Sequence, residues 1–578
     1  MIQFEKTIVR AEVPAAATNL PDDLHPVLRR VYAIRKLTDP ASLNRGLSSM
    51  LPVTLLDNSA AAASILHQAI EQQKRIVIVA DFDADGATSC ALAIRGLRLL
   101  GAENVTYLVP NRFEYGYGLT PEIVAVAKEL DPALIVTVDN GVSSIQGVKV
   151  AKQAGIQVVV TDHHLPGSEL PDADVIVNPN VNGNGFPSKN LAGVGVMFYV
   201  LIALRQRLSE AGWFDRLSIV PPNLAELLDL VALGTVADVV PLDHNNRILV
   251  HQGLQRIRAG CCCAGIRALA EVAQRPLPRL VASDLGFAIG PRLNAAGRIE
   301  DMSLGIECLM SDDRHKAGEL ARRLDSLNRT RRQIEQEMQQ QAIDQLDALP
   351  LSGELPFGLC LYREEWHPGV IGILAARIRE RCHRPVVAFA PGEIRGVIKG
   401  SARSVAGLHI RDVLEAVAAS NPRLLQKFGG HAMAAGLSLQ RSDLDAFTVE
   451  FDREVQRRID REDLRGVVRS DGNLEAGDYR LELAELLRAA GPWGQGFSEP
   501  LFDGIFSVIQ RRVVAEKHLK LVLRPETGGD VVDAIAFNQA DRDVGAARIH
   551  AAFRLDVNEY RGKRSLQLLI EYFLAMPD

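Results

Sequence analysis

Four groups of acidic and imidazole side chains in this chain could together bind divalent cations. They are Asp81–Gly86, with carboxylates at alternate positions, Asp139–Gly141, Asp162–His164 and Asp238, and each directly follows an apolar run. A single Asp after a strand is more often a helix cap or turn residue. Clustered carboxylates, however, repel one another unless a cation neutralises them, so convergence of these groups would indicate a metal site.

The donor types in these groups predict which ions bind and what reaction they support. Carboxylates with one or two imidazoles and no thiolate favour Mn²⁺ or Mg²⁺ over a structural zinc ion, and this number of acids is enough for two ions. Two such ions activate water and neutralise the charge that develops on a phosphate during hydrolysis. The residues therefore predict hydrolysis of phosphodiester bonds.

The main competing interpretation of Asp81–Gly86 is a calcium-binding EF-hand loop, which also begins D-x-D-x-D-G. That loop requires a bidentate Glu at its twelfth position, where this chain has Leu92. It also follows a helix, whereas Asp81 follows a strand-like run. The sequence therefore argues against an EF-hand.

The pattern of apolar runs predicts the elements that would position these side chains. Short β-branched runs alternate with helix-like segments from about residue 74, which is typical of an α/β fold with a parallel sheet covered on both faces. In such sheets the carboxyl ends of the strands face the ligand crevice. The runs expected to be strands are Ile76–Ala80, Val105–Val109, Leu134–Val138, Gln157–Thr161 and Val175–Val177.

Three further regions follow this sheet. Residues His315–Leu349 have apolar residues at helical spacing and no proline, which predicts one long helix joining two lobes. Strand–helix alternation resumes at about residues 355–460 and predicts a second, smaller α/β domain. From about residue 466, five strand-like runs with turns between them predict a small β-barrel of the OB type.

The composition excludes several classes of protein. The chain has 578 residues, 47% of them apolar and 24% charged, as expected for a globular protein of three to four domains. The net charge of −6 means that any polyanion-binding surface must be local. The N-terminus lacks a signal-peptide pattern, and no apolar stretch has the length of about 20 residues that a membrane span needs. Seven scattered cysteines indicate reduced thiols in a cytoplasmic protein.

The ordered set of motifs resembles the DHH phosphoesterase superfamily and, more specifically, the RecJ family of single-strand-specific exonucleases. Asp81–Gly86, Val138–Gly141, Asp162–His164 and Ala237-Asp238 match the four superfamily motifs. The motifs similar to the RecJ family in particular are Asn178–Asn180, Leu191–Gly195, Gly290–Arg298, Trp366–Val370, Lys399–Ser404 and Phe428–His431. Each motif is short, but their order and spacing make the set specific over nearly the whole chain.

The resemblance implies a domain organisation and an activity. It implies an N-terminal extension (1–44), a DHH catalytic domain (45–313), a connecting helix (314–349), a DHH-associated domain (350–462) and an OB-fold domain (463–578). The implied activity is metal-dependent 5′→3′ hydrolysis of single-stranded DNA to 5′-mononucleotides, in DNA repair and recombination.

The resemblance also implies roles for individual residues. Asp81 would support or ligate the metal ions; the other expected metal ligands are Asp83, Asp85, Asp139, His163 and Asp238. His164 would contact the scissile phosphate and Asp162 would orient the imidazoles, so that the expected catalytic set is His164, Asp162, Asp139 and Asp85. Arg112, Ser401 and Arg403 match positions that hold the 5′ phosphate.

Other side chains suit the binding of a nucleic-acid strand. Guanidinium groups bind phosphate oxygens with two parallel hydrogen bonds, which suggests phosphate contacts for Arg292 and Arg298. Asn294, in the same segment Gly290–Arg298, and His431, after two glycines, are further candidates. Residues 314–332 contain seven Lys or Arg against two acids, so a basic helix face could follow the strand backbone. Aromatic residues are few, and the candidates for base stacking are Tyr115, Tyr117, Trp493 and Phe497.

The expected partners are single-stranded DNA and, through the resemblance, single-stranded-DNA-binding protein and a repair helicase, with no membrane. Two alternatives remain at this point. One is a DHH hydrolase of short oligoribonucleotides or cyclic dinucleotides, which would usually lack the C-terminal barrel. The other is a non-catalytic strand-binding scaffold, which the intact acids at all four motifs disfavour.

Overall fold

The computed structural model describes residues 6–14, 19–110, 118–347, 355–542, 545–560 and 562–577. The chain divides into two compact units, one made of the described part of Met1–Arg10 with Arg329–Ser470, the other of Ala11–Asn328 with Asp471–Asp578. The strands are β1 (Lys6–Arg10), β2 (Ile76–Ala80), β3 (Val105–Leu108), β4 (Leu134–Val138), β5 (Gln157–Thr161), β6 (Val175–Val177), β7 (Leu359–Tyr362), β8 (Val386–Pro391), β9 (Val397–Arg403), β10 (Lys427–Gly430), β11 (Ala434–Gln440), β12 (Gly466–Ser470), β13 (Phe502–Val514), β14 (His518–Pro525), β15 (Val532–Ala536), β16 (Arg548–Tyr560) and β17 (Lys563–Met576).

The α-helices alternate with strands as far as Thr161, then follow one another through residues 193–347 with no described strand between them, and no described α-helix comes after Ala490. They are α1 (Pro26–Ile34), α2 (Ser59–Glu71), α3 (Ala84–Leu99), α4 (Pro121–Lys128), α5 (Ile145–Gln153), α6 (Gly193–Glu210), α7 (Trp213–Leu217), α8 (Leu228–Ala237), α9 (His244–Arg258), α10 (Ala264–Val272), α11 (Ala282–Asp284), α12 (Gly290–Ile299), α13 (Ser303–Met310), α14 (Arg314–Asp347), α15 (Ile371–Cys382), α16 (Ile410–Ser420), α17 (Leu444–Gln456) and α18 (Leu481–Ala490). A π-helical turn, Leu285–Ile289, joins α11 to α12.

The unit containing residues 11–328 is built on a parallel sheet in the order β3-β2-β4-β5-β6. Its two faces are covered by different helices, because successive strand side chains point to opposite sides. Ile78 and Val136 pack with α2, α3, α6 and α8, while Val77 and Ile135 pack with α4 and α5. Burial on both faces explains why β2 is apolar throughout and why the one polar residue of β4, Thr137, has its hydroxyl satisfied by the carbonyl of Asn140.

The same unit contains the C-terminal barrel. Its strands close in the order β13-β14-β15-β17-β16, and β15 pairs with β17 in parallel while the other neighbouring pairs are antiparallel. This is the five-stranded topology expected of an OB fold. The predicted barrel is therefore confirmed.

The other unit is a smaller α/β body. Its five-stranded sheet has the order β10-β11-β9-β8-β7, and α15, α16 and α17 contribute to its core. A separate two-stranded parallel pair joins β1 to β12. Together with the parallel sheet and the barrel, this body confirms the predicted α/β fold class.

The predicted long helix is α14, which has 34 residues. Its residues before Arg329 belong to one unit and those from Arg329 onward to the other. Within the described ranges, no helix combines the length and apolarity needed to cross a membrane.

Candidate active site

The carboxyl ends of three neighbouring strands bring the predicted acidic groups together. Ala80 of β2 is in register with Val138 of β4, and Val138 is in register with Thr161 of β5. The residues that directly follow these strands are Asp81, Asp139 and Asp162, and all three are acids that the sequence predicted to converge. Three sets with ligand atoms within 4.8 Å of one another follow: Asp81, Asp83 and Asp139; Asp139, His163 and His164; and Asp85, His163 and Asp238.

His163 lies at the centre of this cluster. Its Nε2 atom is 3.1 Å from Oδ1 of Asp139 and 3.5 Å from Oδ2 of Asp238. Asp238 directly follows α8. The His163 imidazole therefore faces one acid that follows β4 and another that lies more than 70 residues after His163 in the chain. The motifs in the sequence predicted that Asp238 joins these acids, and the packing of α8 against α3 is what brings it there.

The backbone at Asp139 adopts a conformation that few residue types tolerate. Asp139 has a φ of +62° and Gly141 a φ of +113°. Asp and Asn adopt the left-handed region more readily than other residues, and Gly adopts it without strain. The sequence Asp139-Asn140-Gly141 therefore permits a tight turn that directs the Asp139 carboxylate into the cluster.

The loop between β2 and α3 is held by its own carboxylates. Asp83 caps α3 by accepting hydrogen bonds from the N–H groups of Asp85 and Gly86, at 2.9 and 3.0 Å. Asp85 in turn accepts hydrogen bonds from the N–H groups of Gly193 and Val194, at 2.6 and 3.1 Å. Gly193 and Val194 are the first two residues of α6, where the helix dipole also favours a carboxylate. Asp85 is thus oriented by a helix N-terminus.

Asp162 organises the two histidines that follow it. Its Oδ1 atom accepts hydrogen bonds from the backbone N–H groups of His163 and His164, and lies 2.8 Å from Nδ1 of His164. Burial lowers the pKa of His164, but the hydrogen bond and the charge of Asp162 outweigh it and raise that pKa to about 9. The His164 side chain is 35% exposed, so a cationic imidazole faces solvent at the edge of the cluster.

The remaining acids are held in an unfavourable electrostatic state. Burial, followed by repulsion from neighbouring carboxylates, raises the pKa of Asp81, Asp85 and Asp139 well above the usual range. The same causes raise the pKa of Asp238 to about 7. Several buried carboxylates this close together repel one another, and bound cations would relieve that repulsion.

An unsatisfied buried oxygen supports the same conclusion. Oδ1 of Asp81 is buried and accepts no hydrogen bond from any residue that the structure describes. Burying a carboxylate oxygen without a partner is costly unless a cation compensates. The oxygen-rich donor set with one or two imidazoles suits Mn²⁺ or Mg²⁺, and these residues therefore fit a divalent metal centre.

Comparison with known proteins places the chain in a family. Residues 75–235 match the DHH family N-terminal domain, residues 356–457 the DHHA1 domain and residues 470–572 the RecJ OB domain. The single-stranded-DNA-specific exonuclease RecJ of Salmonella typhimurium (strain LT2) is 55% identical over 571 residues, covering 98% of this chain and 99% of that protein. The chain belongs to the RecJ family.

Solved RecJ structures have the same fold. The crystal structure of RecJ in complex with Mn²⁺ from Thermus thermophilus is similar with a TM-score of 0.81 and 30% identity, covering 99% of this chain and 79% of that one. The Mg²⁺ complex of RecJ from the same organism has a TM-score of 0.75 and 28% identity, covering 99% and 78%. Both of these RecJ proteins are in complex with a divalent cation.

The segment Gly290–Arg298, one of the RecJ-family motifs, has a structural role in α12. Arg292 is buried, and its Nε and Nη2 atoms lie 2.9 and 2.8 Å from Oδ1 of Asp325. Asn294 accepts a hydrogen bond of 2.9 Å from the N–H of Ala84, between two of the cluster acids. Arg298 is half-buried. The phosphate contacts expected of these three residues stay predictions.

The candidate phosphate-binding residues of the smaller α/β body lie on its sheet. Nη1 of Arg403 donates a hydrogen bond of 3.1 Å to Oγ of Ser401. A Cβ atom on Gly372, near the start of α15, would lie 2.8 Å from Nη2 of Arg403, so a larger residue there would displace the Arg403 guanidinium group. His431 is exposed at the turn between β10 and β11.

Three further sets of predicted residues have different outcomes. Arg112, Tyr115 and Tyr117 lie outside the described residues. Trp493 and Phe497 stack on each other with ring centroids 5.0 Å apart, and Phe497 is buried, so these rings serve packing.

The basic face predicted on α14 is largely exposed. The six exposed Lys and Arg residues within 314–332 are Arg314, Lys316, Arg322, Arg323, Arg329 and Arg332, whereas Arg331 is buried against Glu335.

Some residues that shape the RecJ site were not assigned a role from the sequence. Asn178 and Asn180 donate to the backbone carbonyls of His164 and His163, at 2.9 and 2.5 Å. Gly193 packs against Asp139, and a Cβ atom there would lie 2.6 Å from that of Asp139. The motifs Asn178–Asn180 and Leu191–Gly195 were visible in the sequence, but their partners were not.

Proposed function

We propose that this chain is a metal-dependent 5′→3′ exonuclease that hydrolyses single-stranded DNA to 5′-mononucleotides. The convergence of acids at the carboxyl ends of β2, β4 and β5, in a chain of the RecJ family, is the observation that carries this proposal. The OB barrel supports a long single strand as substrate, because OB folds bind extended strands. A hydrolase of dinucleotides would not need it.

Two divalent cations, Mn²⁺ or Mg²⁺, complete the site. Their expected ligands are Asp83, Asp85, Asp139, His163 and Asp238, with Asp81 contributing its unsatisfied oxygen. When bound, the ions activate water and neutralise charge that develops on the phosphate.

The chain's own residues bind and orient the substrate. His164, cationic and partly exposed, contacts a phosphate oxygen, and Asp162 holds its ring in place through the 2.8 Å hydrogen bond. Asp139 and Asp85 are fixed by the β4 turn and the start of α6. Arg112, Ser401 and Arg403 hold the terminal 5′ phosphate, and Arg298 and His431 contribute to strand binding. Arg292 and Asn294 contribute indirectly, by holding α12 in place through Asp325 and Ala84.

The broader assignment follows the resemblance to the RecJ family. Residues 45–313 form the catalytic domain, 314–349 the connecting helix, 350–462 the DHH-associated domain and 463–578 the strand-binding domain, after an extension of residues 1–44. The protein acts in the cytoplasm in repair and recombination, where a helicase and single-stranded-DNA-binding protein deliver the strand. Co-purification of either protein with the full chain would test these partnerships.

The decisive experiment replaces one central acid. Asp139→Ala should abolish Mn²⁺-dependent digestion of a 5′-phosphorylated single strand, while strand binding remains measurable by gel shift. Asp172→Ala is a matched control, because the Asp172 side chain is exposed, at 93%, and outside the cluster. Digestion by Asp139→Ala at the unmodified rate would refute the proposal, and faster turnover of a dinucleotide than of a long strand would reassign the substrate.

A further inference from the structure

The π-helical turn before α12 presents the most exposed phenylalanine ring among the described residues. Phe287 is 80% exposed, whereas Leu285, Ala288 and Ile289 in the same turn are buried. A π-helical turn is rare and occurs often at functional sites. The turn therefore fixes Phe287 outward on a backbone held by its buried neighbours.

This turn packs directly against the end of α8, which carries Asp238. A Cβ atom on Gly286 would lie 3.2 Å from Cγ1 of Val236, and one on Gly290 would lie 3.1 Å from Cβ of Ala237. These two glycines bracket Phe287 in the sequence. The backbone that carries the ring is thus in contact with the two residues immediately before a predicted metal ligand.

The residue after Asp238 adds a second, independent feature. Val239 has a φ of +64° and is 61% exposed. A β-branched residue in the left-handed region is strained, and such strain is found preferentially at functional sites. Val239 and Phe287 therefore place two exposed apolar side chains on the two segments that meet beside the metal centre.

We infer that Phe287, flanked by Val239, stacks on a nucleobase of the strand being cleaved. The inference rests on the proposed function, since a phosphate at the metal centre brings the attached sugar and base to the residues that surround Asp238. Aromatic rings stack on any base, because every base has a π-face, so this contact holds a strand without reading its sequence. Phe287 is a positioning residue, which keeps the scissile phosphate aligned with the ions.

The test compares normal and abasic strands in the full-length protein. The substrates are 5′-phosphorylated single strands, either complete or with abasic tetrahydrofuran units at the first three nucleotides, and the first cleavage is measured with Mn²⁺. The unmodified protein should have a kcat/KM about tenfold lower on the abasic strand, within the range for loss of one stacking contact. Phe287→Ala should show this loss already on the complete strand and no further loss on the abasic one.

Three further measurements separate stacking from other effects. Phe287→Trp should retain the discrimination between the two strands, and Phe287→Leu should lose most of it while melting at the same temperature. Val220→Ala, at an apolar side chain that is 86% exposed, is the matched control and should behave as the unmodified protein does. Equal turnover of the abasic strand by Phe287→Ala and the unmodified protein would show that the chemical centre is intact.

Two outcomes would overturn different claims. If Phe287→Ala retains the unmodified protein's tenfold preference for the complete strand, the stacking inference is wrong and the exonuclease proposal stands. If the unmodified protein cleaves neither strand with Mn²⁺, the exonuclease proposal itself fails.

Discussion

The side-chain amide oxygen of Asn294 accepts a hydrogen bond of 2.9 Å from the backbone N–H of Ala84, the residue between Asp83 and Asp85. The two residues are 210 positions apart, and the bond ties α12 to the loop and first turn of α3, which together carry three of the predicted metal ligands. A glycine on the same helix, Gly297, lies against the carbonyl of Phe82 so closely that no side chain fits between them. Helix α12 thus holds the acidic loop in place through Asn294 and Gly297.

Asn294→Ala should weaken metal binding without unfolding the protein. Removing a group that orients metal ligands typically reduces metal affinity 10- to 100-fold, so we expect the Kd for Mn²⁺ to rise by about tenfold. Isothermal titration would measure it. The matched control is Asn58→Ala, whose side chain bonds the carbonyl of Ile176 away from the acids. Equal affinity in all three proteins would show that α12 does not support the loop.

Gly193→Ala should disturb Asp139 directly. The added methyl group would lie 2.6 Å from Cβ of Asp139, and overpacking of this kind costs about 1–3 kcal/mol of stability. We expect a lower melting temperature and a large loss of nuclease activity. Gly185→Ala is the control, since an added Cβ meets no described atom within 4 Å. A Gly193→Ala protein as stable and active as this control would contradict the packing described above.

Metal binding should release protons near neutral pH. The pKa of Asp238 is raised from 3.8 to about 7 in the metal-free protein, first by burial and then by neighbouring carboxylates, so a cation must displace a proton below that pH. Affinity for Mn²⁺ should therefore rise as the pH increases from about 6 to about 8. Titration calorimetry in buffers of different ionisation enthalpy would count the protons, and a count of zero at about pH 6 would exclude this coupling.

Asp162→Asn should lower the pKa of His164. The raised pKa of about 9 depends chiefly on Asp162, whose hydrogen bond and charge outweigh the effect of burial, so the pKa of His164 should fall in the variant, where only the charges of Asp238 and Asp81 still raise it. In the unmodified protein, the stability from this ion pair is complete below about pH 6.5 and is lost as the pH rises through about 9. NMR titration of the metal-free protein would test this, together with a fall in the variant's activity at about pH 8.

Salt should inhibit digestion of long strands more than that of very short ones. We expect the exposed basic residues of α14 to engage more phosphates on a long strand than on a short one, and each such contact adds to the dependence of affinity on salt. Comparing KM for a strand of about 30 nucleotides with that for a trinucleotide at two salt concentrations measures the difference. Identical salt dependence would argue against an extended basic surface.

The sequence determined the local elements and the position of the acids at their ends. Strands β2, β4 and β5 could be identified because strands buried on both faces consist mainly of apolar, β-branched residues. Helix α14 was identifiable for a similar reason, since its apolar residues recur at helical spacing. Because parallel strands present their carboxyl ends at one edge, the acids after them were expected to converge, and the metal site followed.

Only the tertiary structure decided which of the other polar residues face one another. Asp325 pairs with Arg292, and Glu335 with Arg331, so two guanidinium groups that looked available for phosphate are buried in ion pairs. The partners of Asp85 and Ala84 come from α6 and α12, more than 100 residues away in each case. Periodicity reports what one element buries, whereas the pairing of distant side chains depends on how elements pack, and a single sequence does not encode that in any local pattern.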